Sequence, residues 1–164
     1  MMLAMKLDDG KVRVVEADLD NHSHAAGVVG CIDAYALHPM GGATPLPEDV
    51  KAGLIPGLKA HPAKLVLLAL HAQEPVGVAV CFFGFSTFAA RPRLNVHDLS
   101  VLPAYRGRGI GRSLLETVID CARKRGCCGV TLEVRADNEP AKHLYKALGF
   151  SDWLAPLAFW ERKL

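Results

Sequence analysis

Residues 106–112 read Arg-Gly-Arg-Gly-Ile-Gly-Arg. Glycines at every second position let a backbone come close to a ligand and take positive φ where needed. The arginines between them add charge, so the chemistry on offer is anion binding, and the expected anion is a phosphate or pyrophosphate. Just upstream stand His97 and Asp98, two polar groups that need partners if buried and that can take a proton if not. A structural histidine and an aspartate pinning a neighbouring loop are the plainer alternatives. His22 and His24 have no third ligand at metal spacing, so no metal is expected. Cys127 and Cys128 lie beside no readable base, which argues against a cysteine nucleophile.

Elements of definite type must position these groups. Residues 94–101 form an apolar, alternating stretch, read as a strand. Ile110, Leu114, Leu115, Val118, Ile119 and Ala122 then recur with helical spacing, so a helix runs to Arg125. The glycine run is therefore a tight loop between a strand and the first turn of a helix. Unpaired N–H groups and the helix dipole favour an anion at that point. Farther on, Asn138 is a good N-cap and Pro140 sits in the first turn of the next helix. Ala141, Leu144, Tyr145 and Leu148 share one face of it, and Gly149 stops it. By periodicity alone, Tyr145 is the aromatic member of an apolar face.

Two familiar phosphate loops do not fit. The P-loop needs a Lys after its last glycine, and the dinucleotide fingerprint needs glycines at a different spacing. What fits is Arg-x-x-Gly-x-Gly, filled by Arg106, Gly109 and Gly111. With its strand and helix, this run resembles the acetyl-CoA loop of the GNAT superfamily of N-acetyltransferases. Residues 134–150 resemble that superfamily's other signature: Asn138 after a strand, Ala141, the pair Leu144-Tyr145, and the closing Gly149-Phe150. The two matches together cover residues 94–150, about a third of the chain.

The resemblance implies an α/β fold: a mixed, mostly antiparallel central sheet with helices on both faces. In it, the strand before the loop and the strand after the long helix splay apart, and the pantetheine arm of CoA lies in the gap. It implies acetyl-CoA as cosubstrate and direct attack of a primary amine on the thioester. Leu99, Ser100 and Val101 would offer backbone to pantetheine and to the oxyanion. Arg106, Gly107, Arg108, Gly109, Ile110, Gly111 and Arg112 would hold the diphosphate. Asn138 would touch CoA, cap its helix, or both. Tyr145 would protonate the departing thiolate. The superfamily has no fixed base, so His97 and Asp98 stand as catalytic candidates on their own chemistry; simple alternation puts them on opposite faces.

The remaining chain fits one domain over 1–164, long enough to bury a core. Strands are expected at 11–17, 64–71, 76–85, 94–101 and 127–134, with one or two more over 150–164. Helices are expected at 20–37, interrupted near Gly27 or Gly30, and from Pro47 to about 57–61. A net charge of +2 argues against a broad nucleic-acid face, and no apolar run is long enough to span a membrane. Residues 1–7 are too short for a signal core, and the five cysteines form no paired framework, so a reduced, cytoplasmic protein is expected.

The resemblance implies a small-molecule or peptide amine as acceptor. Residues 84–92, with their Phe-Ser-Thr-Phe and Arg91-Pro92, followed by His97-Asp98-Leu99, resemble the diamine acetyltransferase branch. That branch implies a polyamine or lysine-like acceptor and a homodimer, but it carries an acid where His97 stands here. Arg91 and Arg93 could instead hold a substrate carboxylate. The rival reading is a non-catalytic acyl-CoA sensor or interaction module of the same fold.

Overall fold

The structure, a computed structural model, describes residues 12–152 and 160–162. It divides into two units, Met1–Glu133 and Val134–Leu164. In the first, β1 (Arg13–Glu16), α1 (His22–Ala36), α2 (Glu48–Ala60), β2 (Lys64–His71), β3 (Glu74–Ser86), β4 (Arg91–Val101), α3 (Ile110–Lys124) and β5 (Val130–Leu132) follow in chain order. A short 3-10 turn, Pro103–Tyr105, leads into the glycine loop. The five strands lie in sequence order in one sheet, antiparallel throughout except for the parallel pair β4–β5. The mixed, mostly antiparallel sheet expected from the sequence is the sheet observed.

Helices cover both faces. Val28 and Cys31 of α1 and Leu58 of α2 share a buried cluster with Val66, Leu68, Leu70, Val78 and Val80. The neighbouring position on β3, Gly77, faces the other way: a Cβ there would meet Leu114 Cδ1 at 3.3 Å and Ile110 Cγ2 at 3.4 Å. Successive strand residues point to opposite faces, so α3 packs opposite α1 and α2. Helix α1 runs unbroken through both glycines. Gly27 lets the helix pass Pro75, whose ring occupies the place where a Cβ would stand. Asn21 caps it through His24 N at 3.1 Å, and Asp33 ties it to the start of α2 through Leu46 N at 2.8 Å and Lys51 Nζ at 3.1 Å.

Several boundaries differ from expectation. β3 and β4 extend further, to Ser86 and Arg91, because the stretch read as a connector continues the antiparallel ladder. β5 is shorter than 127–134, since its partner leaves it after Leu132. The helix after the glycine loop ends at Lys124, with Gly126 at φ 68° beyond it. The strands expected over 150–164 fall largely outside the described residues; 150–152 and 160–162 are not in strands. Trp160 is 90% exposed.

In the second unit, α4 (Glu139–Ala147) is capped by Asn138, whose Oδ1 accepts from Ala141 N at 3.3 Å. Gly149 at φ 85° closes the helix, with Phe150 N bonded to Tyr145 O at 3.0 Å.

Candidate functional site

The parallel pairing of β4 and β5 covers three residue pairs and ends at Val96↔Leu132. From His97 to Val101, β4 continues along β3 with no strand on its other edge among the described residues. The two strands that frame α3 therefore part, as the family resemblance implies.

A β-bulge falls at the same point. Cys81 pairs with Val96 and Val80 with Asp98, so His97 is an extra residue in β4. The bulge changes which amides face the gap. Leu94 N reaches toward β5, bonding Gly129 O at 3.1 Å, whereas Leu102 N bonds Val76 O on β3 at 2.9 Å. Counting back from Leu102, the N–H groups of Leu99 and Val101 point to the open edge. Unbroken alternation from Leu94 would have turned them toward β3.

The bulge also overturns the expectation that His97 and Asp98 lie on opposite faces. The His97 ring packs edge-on against Phe82, with centroids 5.4 Å apart, and Phe82 packs on the cluster beneath α1 and α2. Asp98 stands opposite Val80 of the same cluster. Both residues thus belong to the α1–α2 face. His97 is exposed, while burial raises the pKa of Asp98 above its ordinary value and the adjacent His97 partly offsets this.

The glycine loop has the geometry of an anion site. Gly107 at φ 74° and Gly109 at φ 78° take the left-handed conformation, and Gly109 caps α3 without a side-chain bond. The first helical bond is Ser113 N to Gly109 O at 3.0 Å, so the N–H groups of Ile110, Gly111 and Arg112 have no helical acceptor. No acid stands in this first turn. Gly77 beneath it lets Ile110 and Leu114 seat α3 close to the sheet. Around the loop, Arg106 Nε bonds the Val101 carbonyl at 2.9 Å. Arg108 lies over the Tyr105 ring at 5.4 Å, and Arg112 pairs with Glu116 at 3.3 Å. Ser100, one residue before Val101, is buried with its hydroxyl unpaired among the described residues.

A residue not singled out from sequence joins the α1–α2 face. Glu133, the first residue after the last β4–β5 pair, is exposed and within 3.2 Å and 3.3 Å of the Asn95 amide nitrogen through its two carboxylate oxygens. The signal for it was an acid directly following the apolar Val130-Thr131-Leu132 strand. Arg91, one of two arginines that could hold a substrate carboxylate or stand solvated in a loop, donates to Gly126 O at 3.1 Å beyond the end of α3. Tyr145 packs near Phe150, with centroids 5.9 Å apart, in the second unit. No group of three or more metal-ligating side chains occurs among the described residues.

Residues 35–150, most of the chain, match the Acetyltransferase (GNAT) family. The chain belongs to that family. A 70-residue stretch is 43% identical to the streptothricin acetyltransferase of Streptomyces lavendulae, covering 43% of this chain and 37% of that one. Thialysine N-epsilon-acetyltransferase of Bos taurus is 39% identical over 77 residues, 47% of this chain and 45% of the relative. N-alpha-acetyltransferase RimI of Mycobacterium tuberculosis is 46% identical over 77 residues, 45% of this chain and 46% of the relative. The chain thus spans less than half the length of each of these curated relatives. A transcriptional regulator from Bacillus halodurans C-125 superposes with a TM-score of 0.77 at 22% identity, covering 92% of this chain and all of that one. AAC(6')-Iy, solved with a bisubstrate analogue containing CoA, superposes at 0.74 with 16% identity, covering 93% of this chain and 99% of that one. At these identities the likeness is one of fold.

Proposed function

We propose that this protein is an N-acetyltransferase that moves the acetyl group of acetyl-CoA directly to a primary amine. The observation that carries the reading is the opening of β4 from β5 directly ahead of an uncapped, glycine-entered helix. Such an arrangement offers backbone donors to a thioester arm along one edge and to a diphosphate at its end. Gly107 and Gly109 meet no other group within 4 Å of a built Cβ, which fits a cradle open to a ligand.

An alkyl amine has a pKa of about 10 and must lose a proton before or during attack. Glu133 and His97 are two exposed groups on the α1–α2 face that can take it. Glu133 is the proposed acceptor, because its carboxylate lies where the strands part and a base must reach the amine directly or through one water. His97, with Asp98 beside it, lies on the same face and is the second candidate acceptor. The amine nitrogen then bonds to the thioester carbon while the carbonyl electron pair moves to oxygen. The N–H groups of Leu99 and Val101 are the proposed oxyanion donors. Collapse breaks the carbon–sulfur bond, Tyr145 is proposed to give the thiolate its proton, and the nitrogen releases its remaining extra proton to solvent, from which the phenolate is reprotonated.

The acceptor class is also a proposal. Relatives named for thialysine, streptothricin and N-alpha-amine acetylation leave small cationic amines and peptide N-termini as the set to try. A homodimer remains the reading carried by the resemblance to the diamine branch, and a cytoplasmic location the one carried by the cysteines; five free thiols suit a reducing compartment. The test is release of free CoA thiol from acetyl-CoA across a panel: spermidine, thialysine, streptothricin and an alanyl hexapeptide. Amine-dependent release with at least one member supports the reading. Tyr145→Phe should then lower kcat by about 100-fold with acetyl-CoA KM little changed. No amine-dependent release, with intact acetyl-CoA binding, would favour the non-catalytic sensor.

A further inference from the structure

Glu133 lies one residue beyond the last rung of the β4–β5 ladder. Nothing in that ladder fixes its side chain, and an exposed glutamate has several torsions to lose before it can serve a defined proton transfer. Asn95 supplies the missing restraint. It sits half-buried on β4, directly opposite Thr131, and Glu133 is the next position of β5 on the same face. Its Nδ2 lies 3.3 Å from Thr131 Oγ1 and 3.3 Å and 3.2 Å from the two carboxylate oxygens of Glu133. Only the amide nitrogen can face a carboxylate without oxygen–oxygen repulsion, so the orientation of Asn95 is set by this contact.

The residue type matters. A lysine or arginine at this place would hold the carboxylate equally well but would stabilise its ionised form so far that it accepts protons poorly. An amide orients it without adding a charge. Among the described residues this face also carries Arg93, His97 and Asp98 on β4, Lys64 on β2, and His61, whose ring lies 4.7 Å from that of Phe82. Asn95 is the group that hydrogen-bonds the Glu133 carboxylate among the described residues.

We infer that Asn95 is a positioning residue for Glu133, holding its carboxylate at the mouth of the splayed strands across the last β4–β5 pair. The inference rests on the reading of Glu133 as proton acceptor.

The test uses the full chain with Asn95→Ala, Asn95→Asp and Glu133→Gln. The pH dependence of kcat/KM is followed with acetyl-CoA and the fastest amine of the panel above. The side-chain carboxyl carbon of Glu133 is titrated by NMR in the free protein, a readout that needs no turnover. Asn95→Asp should move both the acid limb of the rate profile and the Glu133 titration upward by about one pH unit, because two carboxylates then share a site. Asn95→Ala should move the Glu133 titration upward less and lower kcat roughly tenfold, with acetyl-CoA KM unchanged. If Glu133→Gln is inactive while both Asn95 variants leave the titration and the rate profile in place, the inference is overturned alone. If Glu133→Gln keeps full turnover, the proton-acceptor reading falls and the inference falls with it.

Discussion

Arg106 Nε donates to the Val101 carbonyl at 2.9 Å, folding the leading arginine of the glycine loop back onto the open end of β4. The motif's arginine is therefore a clasp between the loop and the strand. Replacing it by Lys keeps the charge but loses the planar fork that makes this contact. Arg106→Lys and Arg106→Ala should both weaken acetyl-CoA binding about tenfold, the scale of one charge-assisted hydrogen bond. Calorimetric titration with acetyl-CoA checks this; full affinity in Arg106→Lys would mean that charge alone matters.

Two glycines of the first unit should respond to alanine with opposite signs. A Cβ on Gly77 meets Ser100 O at 3.0 Å and the side chains of Leu114 and Ile110 at 3.3 Å and 3.4 Å, so α3 must lift from the sheet. Gly77→Ala should destabilise by about 1–3 kcal/mol and weaken acetyl-CoA binding as well. Gly30, inside α1, meets nothing within 4 Å. Gly30→Ala should stabilise by about 0.5–1 kcal/mol through helix propensity and unfolded-state entropy. Urea unfolding of both variants reads the two signs.

Burial raises the carboxyl of Asp98 above its ordinary value of 3.8. The folded state then holds a proton that the unfolded chain would release. Its favourable contribution is present below pH 3.8 and is lost as pH rises through the raised value. Asp98→Asn removes that loss. The variant should melt higher than the parent at pH 8, and the difference should shrink toward pH 4. Thermal scans across this range decide; a constant difference at all pH values would rule out the linkage.

Cys31 and Cys81 are buried, and burial pushes their thiols up to about 11 and about 12. Thiolate is the reactive form, so neither should react with a disulfide reagent at pH 8 until the protein unfolds. Peptide mapping after labelling of native and urea-unfolded protein distinguishes the two populations. Prompt native labelling of either residue would contradict its place in the core.

The expected elements are those with strong periodicity. β2 is a continuous apolar run and α3 an amphipathic helix with its stop at Gly126, and both appear within a residue or so of their expected limits. The interruption expected in α1 does not occur, because Gly27 serves a close pass over Pro75 rather than a break. The bulge at His97 was not legible. Period-two counting assumes one residue per rung, and a single inserted residue reverses every assignment on one side of it. That is why His97 and Asp98 share a face against expectation. Glu133 was missed for a related reason: its meaning comes from the β4–β5 register, which places it diagonal to Asn95, and register between distant parallel strands cannot be counted along the chain.

The anion site at the entrance of α3 is the claim on which the rest depends, and amide NMR with acetyl-CoA addresses it most directly. Titration should shift the amide resonances of Gly107, Gly109, Ile110, Gly111 and Arg112 most strongly, together with Leu99 and Val101, and ATP should not displace the ligand. Unmoved resonances at these positions in the presence of saturating acetyl-CoA, or displacement by ATP, would contradict the account.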